Sequence, residues 1–211
     1  MYVPRLFSED RVPVLHETIR QIGLGTLVTM GPGGLVASHV PMLVEAEPEP
    51  YGTLIGHLAR ANPHWQDFAA GTEALAMFLG PEAYISPAWY PTKAETGKVV
   101  PTWNYASVHA TGPIELVEDE AGLLDIVTRL TATHEAGRAA PWQVSDAPAE
   151  FVAGMLKAIV GFRIKVARLE GKWKMSQNRP PADRAGVVEG LRRESGEKGE
   201  AVAAAVLERD R

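Results

Sequence analysis

The chain of 211 residues contains no cysteine. Disulfides, thiolate metal ligands and a cysteine nucleophile are therefore excluded, and a reducing compartment is compatible. No uninterrupted apolar stretch approaches the roughly 18 residues that a membrane-spanning helix requires. The opening residues Met1-Tyr2-Val3-Pro4-Arg5 lack the basic segment, apolar run and small-residue cleavage site of a secretory signal. The expectation is a soluble cytoplasmic protein without membrane contact. Positive charge is in deficit, with 21 Lys and Arg against 26 Asp and Glu and a formal net charge of -5. That argues against a protein that coats nucleic acid, although a local basic stripe can still meet phosphates. The six histidines include no helical pair spaced for a metal beside a carboxylate, so no metal site is expected.

What is present is a 45% hydrophobic composition, enough for one full core. Ser8, Glu9 and Asp10 can cap a helix carrying Val14, Leu15, Thr18, Ile19 and Ile22, stopped by Gly23 and Gly25. Residues 25–30 and 35–44, separated by Gly31-Pro32-Gly33-Gly34, predict a β-hairpin, with Pro41 demanding an edge or a bulge. A strand over 52–58 follows, then a turn into a short helix over 62–68. Two short strands, 75–79 and 83–86, precede a long loop over 87–98. Residues 102–111 alternate, with Asn104, Ala106, Val108 and Ala110 on one face and Trp103, Tyr105, Ser107 and His109 on the other. The first face is small enough for a tight barrel interior, and the second suits a ligand or subunit contact. Helices are predicted after Glu118-Asp119-Glu120 and after Pro148, then a strand over 160–169 and a turn at Gly171. From Pro180 onward the composition shifts to Ala, Gly, Glu and Arg with helical spacings. At least six short strands with inserted helices fit an α+β barrel better than a parallel doubly wound sheet.

Three polar-aromatic segments stand out: Gly56-His57-Leu58-Ala59-Arg60-Ala61-Asn62-Pro63-His64-Trp65; Ser86-Pro87-Ala88-Trp89-Tyr90-Pro91-Thr92-Lys93 with Val100-Pro101-Thr102-Trp103-Asn104-Tyr105; and Lys174-Met175-Ser176-Gln177-Asn178-Arg179. Each brings polar atoms that need partners when buried, so together they mark a site. These blocks, with Met1-Tyr2-Val3-Pro4, Phe7 and Tyr84-Ile85, stand in the order found in a known family. Over nearly its whole length the chain resembles the PaiB-like FMN-binding negative transcriptional regulators, which share a split β-barrel with pyridoxamine phosphate oxidases.

The resemblance implies an FMN-binding split-barrel domain over 1–179 with peripheral helices, and a helical C-terminal extension over 180–211. It further implies a homodimer with FMN between subunits, strand ends holding the phosphate and aromatics flanking the ring. Arg60 is chemically suited to fork onto a phosphate, with Ser38 and Asn62 as neutral donors and His39 and His57 adding hydrogen bonds. Trp103 and Asn104 are expected beside the flavin, and Lys174 and Gln177 match positions that reach it from the partner. The alternative for Arg60 is a salt bridge at the barrel rim, and for His39 and His57 satisfied core or rim positions.

No catalytic residue is identified. A negative regulator of transcription that senses flavin or redox state is the first reading, and a small FMN-dependent oxidoreductase the alternative. DNA, contacted directly or indirectly, remains open as a partner. Arg163, Lys165, Arg168, Lys172, Lys174 and Arg179 form a basic stripe, but no helix-turn-helix with a basic recognition helix is present.

Overall fold

The computed structural model describes residues 1–68 and 71–209, leaving the last two residues of the expected C-terminal extension outside the described part. Its strands are β1 (Ser8–Glu9), β2 (Leu24–Gly31), β3 (Gly34–Glu45), β4 (Thr53–Ala59), β5 (Glu73–Ile85), β6 (Thr102–Val117), β7 (Ile159–Lys165) and β8 (Arg168–Lys174). The helices are α1 (Val12–Ile22), α2 (Thr92–Thr96), α3 (Glu120–Glu135), α4 (Ala149–Leu156), α5 (Pro181–Glu194) and α6 (Gly196–Glu208). The strand order is β1-β8-β6-β5-β2-β3-β4-β7, and β6 also pairs with β7. That extra pairing closes six strands into a barrel, the α+β split barrel that the resemblance implies.

Contacts divide the chain into two compact units. One comprises Val12–Phe78 and His109–Leu169. Here the buried side chains Leu27, Val40, Met42, Leu54, Ile114, Phe162 and Ile164 form the core. The barrel is tight at Gly56, where a Cβ would lie 2.7 Å from the Phe162 ring and 2.9 Å from the Pro41 carbonyl. A second apolar cluster, Leu43, Ile55, Val117, Ile126 and Leu130, seats α3 on the outside of the strands. Asp119 caps α3 by accepting from the Gly122 amide at 2.8 Å.

Pro41 lies at a handover. β3 pairs with β2 as far as Leu24↔Pro41 and with β4 from Met42↔Gly56 onward. A residue without an N–H is tolerated where one ladder ends and the next begins.

The other unit comprises Met1–Arg11, Leu79–Val108 and Glu170–Arg211. β1 pairs antiparallel with β8, Ser8 opposite Lys172 and Glu9 opposite Gly171. α5 and α6 are both amphipathic and bury Val187, Val188, Leu191, Val202 and Val206. Gly196, at φ +57°, turns the chain between them. α5 meets the Pro87–Trp89 turn through two glycines, since a Cβ on Gly186 would lie 2.0 Å from the Trp89 carbonyl oxygen and one on Gly190 2.2 Å from its ring. The Trp89 indole donates to Glu194 at 3.2 Å. Asp183, fully buried, accepts from the Thr92 amide at 3.1 Å at the start of α2.

Three sequence expectations need correction. Residues 73–85 are one strand, not two. Its buried positions shift from Ala74, Ala76 and Phe78 to Ala83 and Ile85, so the alternation slips by one residue around Gly80-Pro81 without the strand ending. The expected long loop contains the Pro87–Trp89 3-10 turn and α2. Gly171 makes no turn: it lies inside β8, opposite Glu9 of β1. Past Lys165 the Val166 amide donates to the Gly52 carbonyl and the Ala167 amide to the Thr111 carbonyl, and these bonds carry the Thr53↔Lys165 and Ile114↔Ile164 registers on toward β8.

Glu9 ties the two ends of the second unit together. Its carboxylate accepts from Arg11 Nε at 2.8 Å and Nη2 at 2.7 Å, and it pairs with Arg209 at 2.7 Å. The Arg11 hydrogen bonds outweigh the cost of burial and hold its pKa at about 2, down from 4.5. A carboxylate depressed in the fold stabilises fully above the unfolded value, and that stabilisation is lost as pH falls from 4.5 toward 2. Because Arg11 is largely exposed, the contribution is about 2 kcal/mol rather than the full shift. Urea melts should therefore show Glu9→Gln less stable than the parent at pH 7, with the gap closing below pH 4.5. Equal midpoints at pH 7 would remove this pairing from the stability account.

Candidate functional site

The Asn62-Pro63 step starts a 3-10 turn, Pro63–Asp67, because proline suits the first position of a turn and Asn62 caps it. The Asn62 side-chain oxygen accepts from the His64 amide at 3.0 Å. Its Nδ2 must then be the group that donates to Ser38 Oγ at 3.0 Å. Ser38 Oγ also meets His64 Nδ1 at 2.8 Å, and His64 Nε2 meets Thr29 Oγ1 at 2.9 Å. A continuous chain therefore runs Thr29–His64–Ser38–Asn62. Thr29 and His64 are buried, whereas Ser38 and Asn62 are half-buried and form its outer end. Burial pushes the His64 pKa down, against a smaller upward pull from Asp67, so the imidazole is neutral near pH 7. Phe68 packs edge-on against its ring at 5.2 Å.

Arg60 has other partners. Its guanidinium donates to Glu118 at 3.1 Å, to the Lys157 carbonyl at 3.1 Å and to the Ile159 carbonyl at 3.2 Å. It also lies 5.8 Å from the Trp65 ring centroid. His39 is exposed and pairs across the strands with Thr26, its Nδ1 3.1 Å from Thr26 Oγ1. His57 stands opposite Gly161 on the same side of β4 as Ile55, the side that α3 covers. Burial lowers its pKa, and its Nδ1 has no hydrogen-bond partner among the described residues. Neither histidine joins the Ser38 chain.

The second group gathers where β6 begins and β8 ends. Asn104 is fully buried and donates to Ser176 Oγ at 2.9 Å. Ser176 holds φ +63°, a strained conformation for a side-chain-bearing residue. Gln177 secures that turn, accepting from the Met175 amide at 2.7 Å and donating to the Trp173 carbonyl at 2.6 Å. Lys174 donates to Thr102 Oγ1 and, at 2.6 Å, to the Trp103 carbonyl. Its pKa falls, first through burial and then through Lys172 and Arg179 nearby. Trp103 is exposed, its ring edge-on to Tyr84 at 6.1 Å. Lys172 is buried with its ammonium 5.2 Å from the Tyr105 centroid and 5.6 Å from Tyr2, and Arg179 lies 4.6 Å over Tyr90.

Of the nine expected residues, Ser38 and Asn62 come together in one chain, and Trp103, Asn104, Lys174 and Gln177 in one neighbourhood. Arg60, His39 and His57 are engaged separately. Thr29, His64 and Ser176 were not among the expected site residues, although His64 and Ser176 lie inside the marked segments. A cleft of about 850 Å³ between α3 and α4, lined by Leu124, Thr128, Trp142, Val152 and Leu156, holds none of them.

FMN combines a phosphate, a polyol and a flat ring with hydrogen-bonding edges, and the donor chemistry fits it. Ser38 and Asn62 offer neutral donors and Arg60 an exposed guanidinium in one unit, and Lys174 and Trp103 offer a cation and an aromatic surface in the other, whereas the Asn104 amide is fully buried against Ser176. The family model described as "Putative FMN-binding domain" matches residues 1–168. The chain is 34% identical over 194 residues to "Protease synthase and sporulation protein PAI 2" of Bacillus subtilis, covering 92% of this chain and 90% of that one. It is 35% identical to a protein of Aspergillus fumigatus, covering 99% and 97%. In fold it is similar to the FAD and heme binding protein from Mycobacterium smegmatis, with a TM-score of 0.59, 15% identity and coverage of 79% and 73%. With a family match across most of its length and relatives matched nearly end to end, the chain belongs to the FMN-binding domain family, and FMN is its cofactor.

Proposed function

We propose that the protein is a homodimeric FMN-binding regulator of gene expression. The observation that carries this reading is the Thr29–His64–Ser38–Asn62 chain, which ends in a half-buried hydroxyl and amide with no charge of their own. Such a pair suits an anion's oxygens, and Ser38 and Asn62 take the FMN phosphate with Arg60. Lys174 and Gln177 serve the flavin from the partner subunit, where Trp103 supplies an aromatic face; Asn104, fully buried against Ser176, does not reach the ring. Bound FMN provides one- and two-electron chemistry. The relative's name ties that protein to protease synthesis and sporulation, which supports a regulatory role here.

An uncovered face supports dimerisation. Leu24, Met30 and Leu35 lie exposed on β2 and β3, where a monomer would leave an apolar patch to water. The tail is a poor DNA-binding element, since Arg192 pairs with Glu200 and Arg193 with Glu189 and Glu194. Regulation therefore acts through dimer shape or a protein partner rather than through these helices.

Visible absorption during FMN titration tests the cofactor, and light scattering at micromolar concentration tests the assembly. Saturable binding of one FMN per chain by a dimer is expected. A protein that scatters as a monomer, loaded or not, would sink the shared-site reading.

A further inference from the structure

Asn62 and His64 between them determine what the Ser38 hydroxyl can do. Asn62 is locked in one orientation because its oxygen is taken by the His64 amide, so its Nδ2 fills one acceptor position of Ser38 Oγ. A serine hydroxyl has two acceptor positions and one donor. The neutral His64 ring offers two arrangements. With the proton on Nε2, the ring donates to Thr29, and Nδ1 accepts from Ser38, whose donor then points inward. With the proton on Nδ1, the ring fills the second acceptor position of Ser38 Oγ, Thr29 donates to Nε2, and the Ser38 O–H has only the outward direction left. The imidazole carries one ring proton in both arrangements, so the two differ in neither charge nor proton count.

We propose that His64 is a positioning residue which, in its Nδ1–H form, turns the Ser38 hydroxyl outward as a donor to the phosphate of bound FMN. This rests on the reading that Ser38 faces that phosphate. The geometry favours a relay over a charged histidine. His64 is 1% exposed, packed edge-on against Phe68 and flanked by two hydroxyls that accept or donate equally well. A ligand oxygen at Ser38 thus selects a tautomer of a ring it never touches. Burial, which disfavours the imidazolium, keeps the ring in the neutral form that the relay requires.

The test is a long-range proton–nitrogen correlation spectrum of ¹⁵N-labelled protein, free, FMN-loaded and riboflavin-loaded, with the His64 signals assigned by their loss in His64→Gln. FMN should hold His64 as the Nδ1–H tautomer. Riboflavin, which lacks the phosphate, should leave the free protein's pattern. In parallel, Ser38→Ala should weaken FMN about tenfold and riboflavin little. His64→Leu, which cannot fill the acceptor position, should weaken FMN severalfold, and His64→Gln, whose amide can donate to Ser38, should restore most of it. An Nε2–H tautomer or an imidazolium in the FMN complex overturns the relay. If Ser38→Ala still weakens FMN in that case, the cofactor reading survives it. Unchanged FMN affinity in a folded Ser38→Ala protein removes Ser38 from the phosphate and the relay with it. The wild-type spectra decide the matter even if the leucine variant fails to fold.

Discussion

Arg60→Ala is expected to weaken FMN binding about ten- to a hundredfold, or about 1.5–3 kcal/mol, while leaving riboflavin affinity nearly unchanged. The guanidinium is held by Glu118, but both side chains are substantially exposed, and ion pairs of that kind contribute about 1 kcal/mol or less. A phosphate taken on charge-assisted, bidentate hydrogen bonds would outweigh that, and FMN is then expected to displace the carboxylate. The same competition sets the sign of a second variant. Glu118→Gln removes the competing charge and should tighten FMN binding by a few fold. Titrations of the three proteins with both ligands separate the possibilities. A distorted pocket would weaken riboflavin as well as FMN. If Arg60→Ala retains full FMN affinity and only melts earlier, the guanidinium serves the Lys157 and Ile159 carbonyls alone, and the phosphate lies elsewhere.

Gly186→Ala should destabilise the protein by about 3 kcal/mol, although the same change in a helix interior ordinarily stabilises by about 1 kcal/mol. The new Cβ would lie 2.0 Å from the Trp89 carbonyl oxygen. That atom is backbone and cannot rotate aside, so α5 must move away from the turn that it packs on. Gly190→Ala meets the Trp89 ring instead, which has some freedom to shift, and should cost less. Gly154 in α4 is the control. Among the described residues, no atom beyond its chain neighbours and its own helix backbone lies within 4 Å of its would-be Cβ, so Gly154→Ala should gain about 0.5–1 kcal/mol. Urea unfolding of the three variants measures all of this. A neutral Gly186→Ala would mean that α5 does not pack on Trp89 as closely as described.

Local pattern carried much of the fold. The alternation at 102–111 correctly placed Asn104, Ala106, Val108 and Ala110 inside, because small residues at every second position of a strand have few other uses. The hairpin of β2 and β3, the capped α3 and the helical tail were likewise readable from periodicity and turn chemistry. Glycine and proline misled at two places. Gly171 is a strand residue opposite Glu9, and Gly80-Pro81 shifts the alternation of β5 without ending it. In both cases pairing with distant strands overrides the local preference. The role of His64 was not legible for the same reason. Its partners come from β2 and β3, 35 and 26 residues away in sequence, and no spacing rule joins them. Ser38 and Asn62 were reached through their chemistry, whereas the buried group between them became visible only in three dimensions.

The ion-paired arginines of α5 and α6 bear on how the protein behaves in salt. A cation contributes to polyanion binding by displacing condensed counterions, and each free one steepens the dependence of affinity on ionic strength. Arg192 and Arg193 already have carboxylate counterions from Glu200, Glu189 and Glu194 within the same two helices. Moving either arginine to a nucleic-acid phosphate would strand a glutamate beside the polyanion, so little net charge is neutralised. Any association of this tail with DNA should therefore show a nearly flat logarithmic salt dependence, the signature of a surface whose mobile ions have nowhere to go.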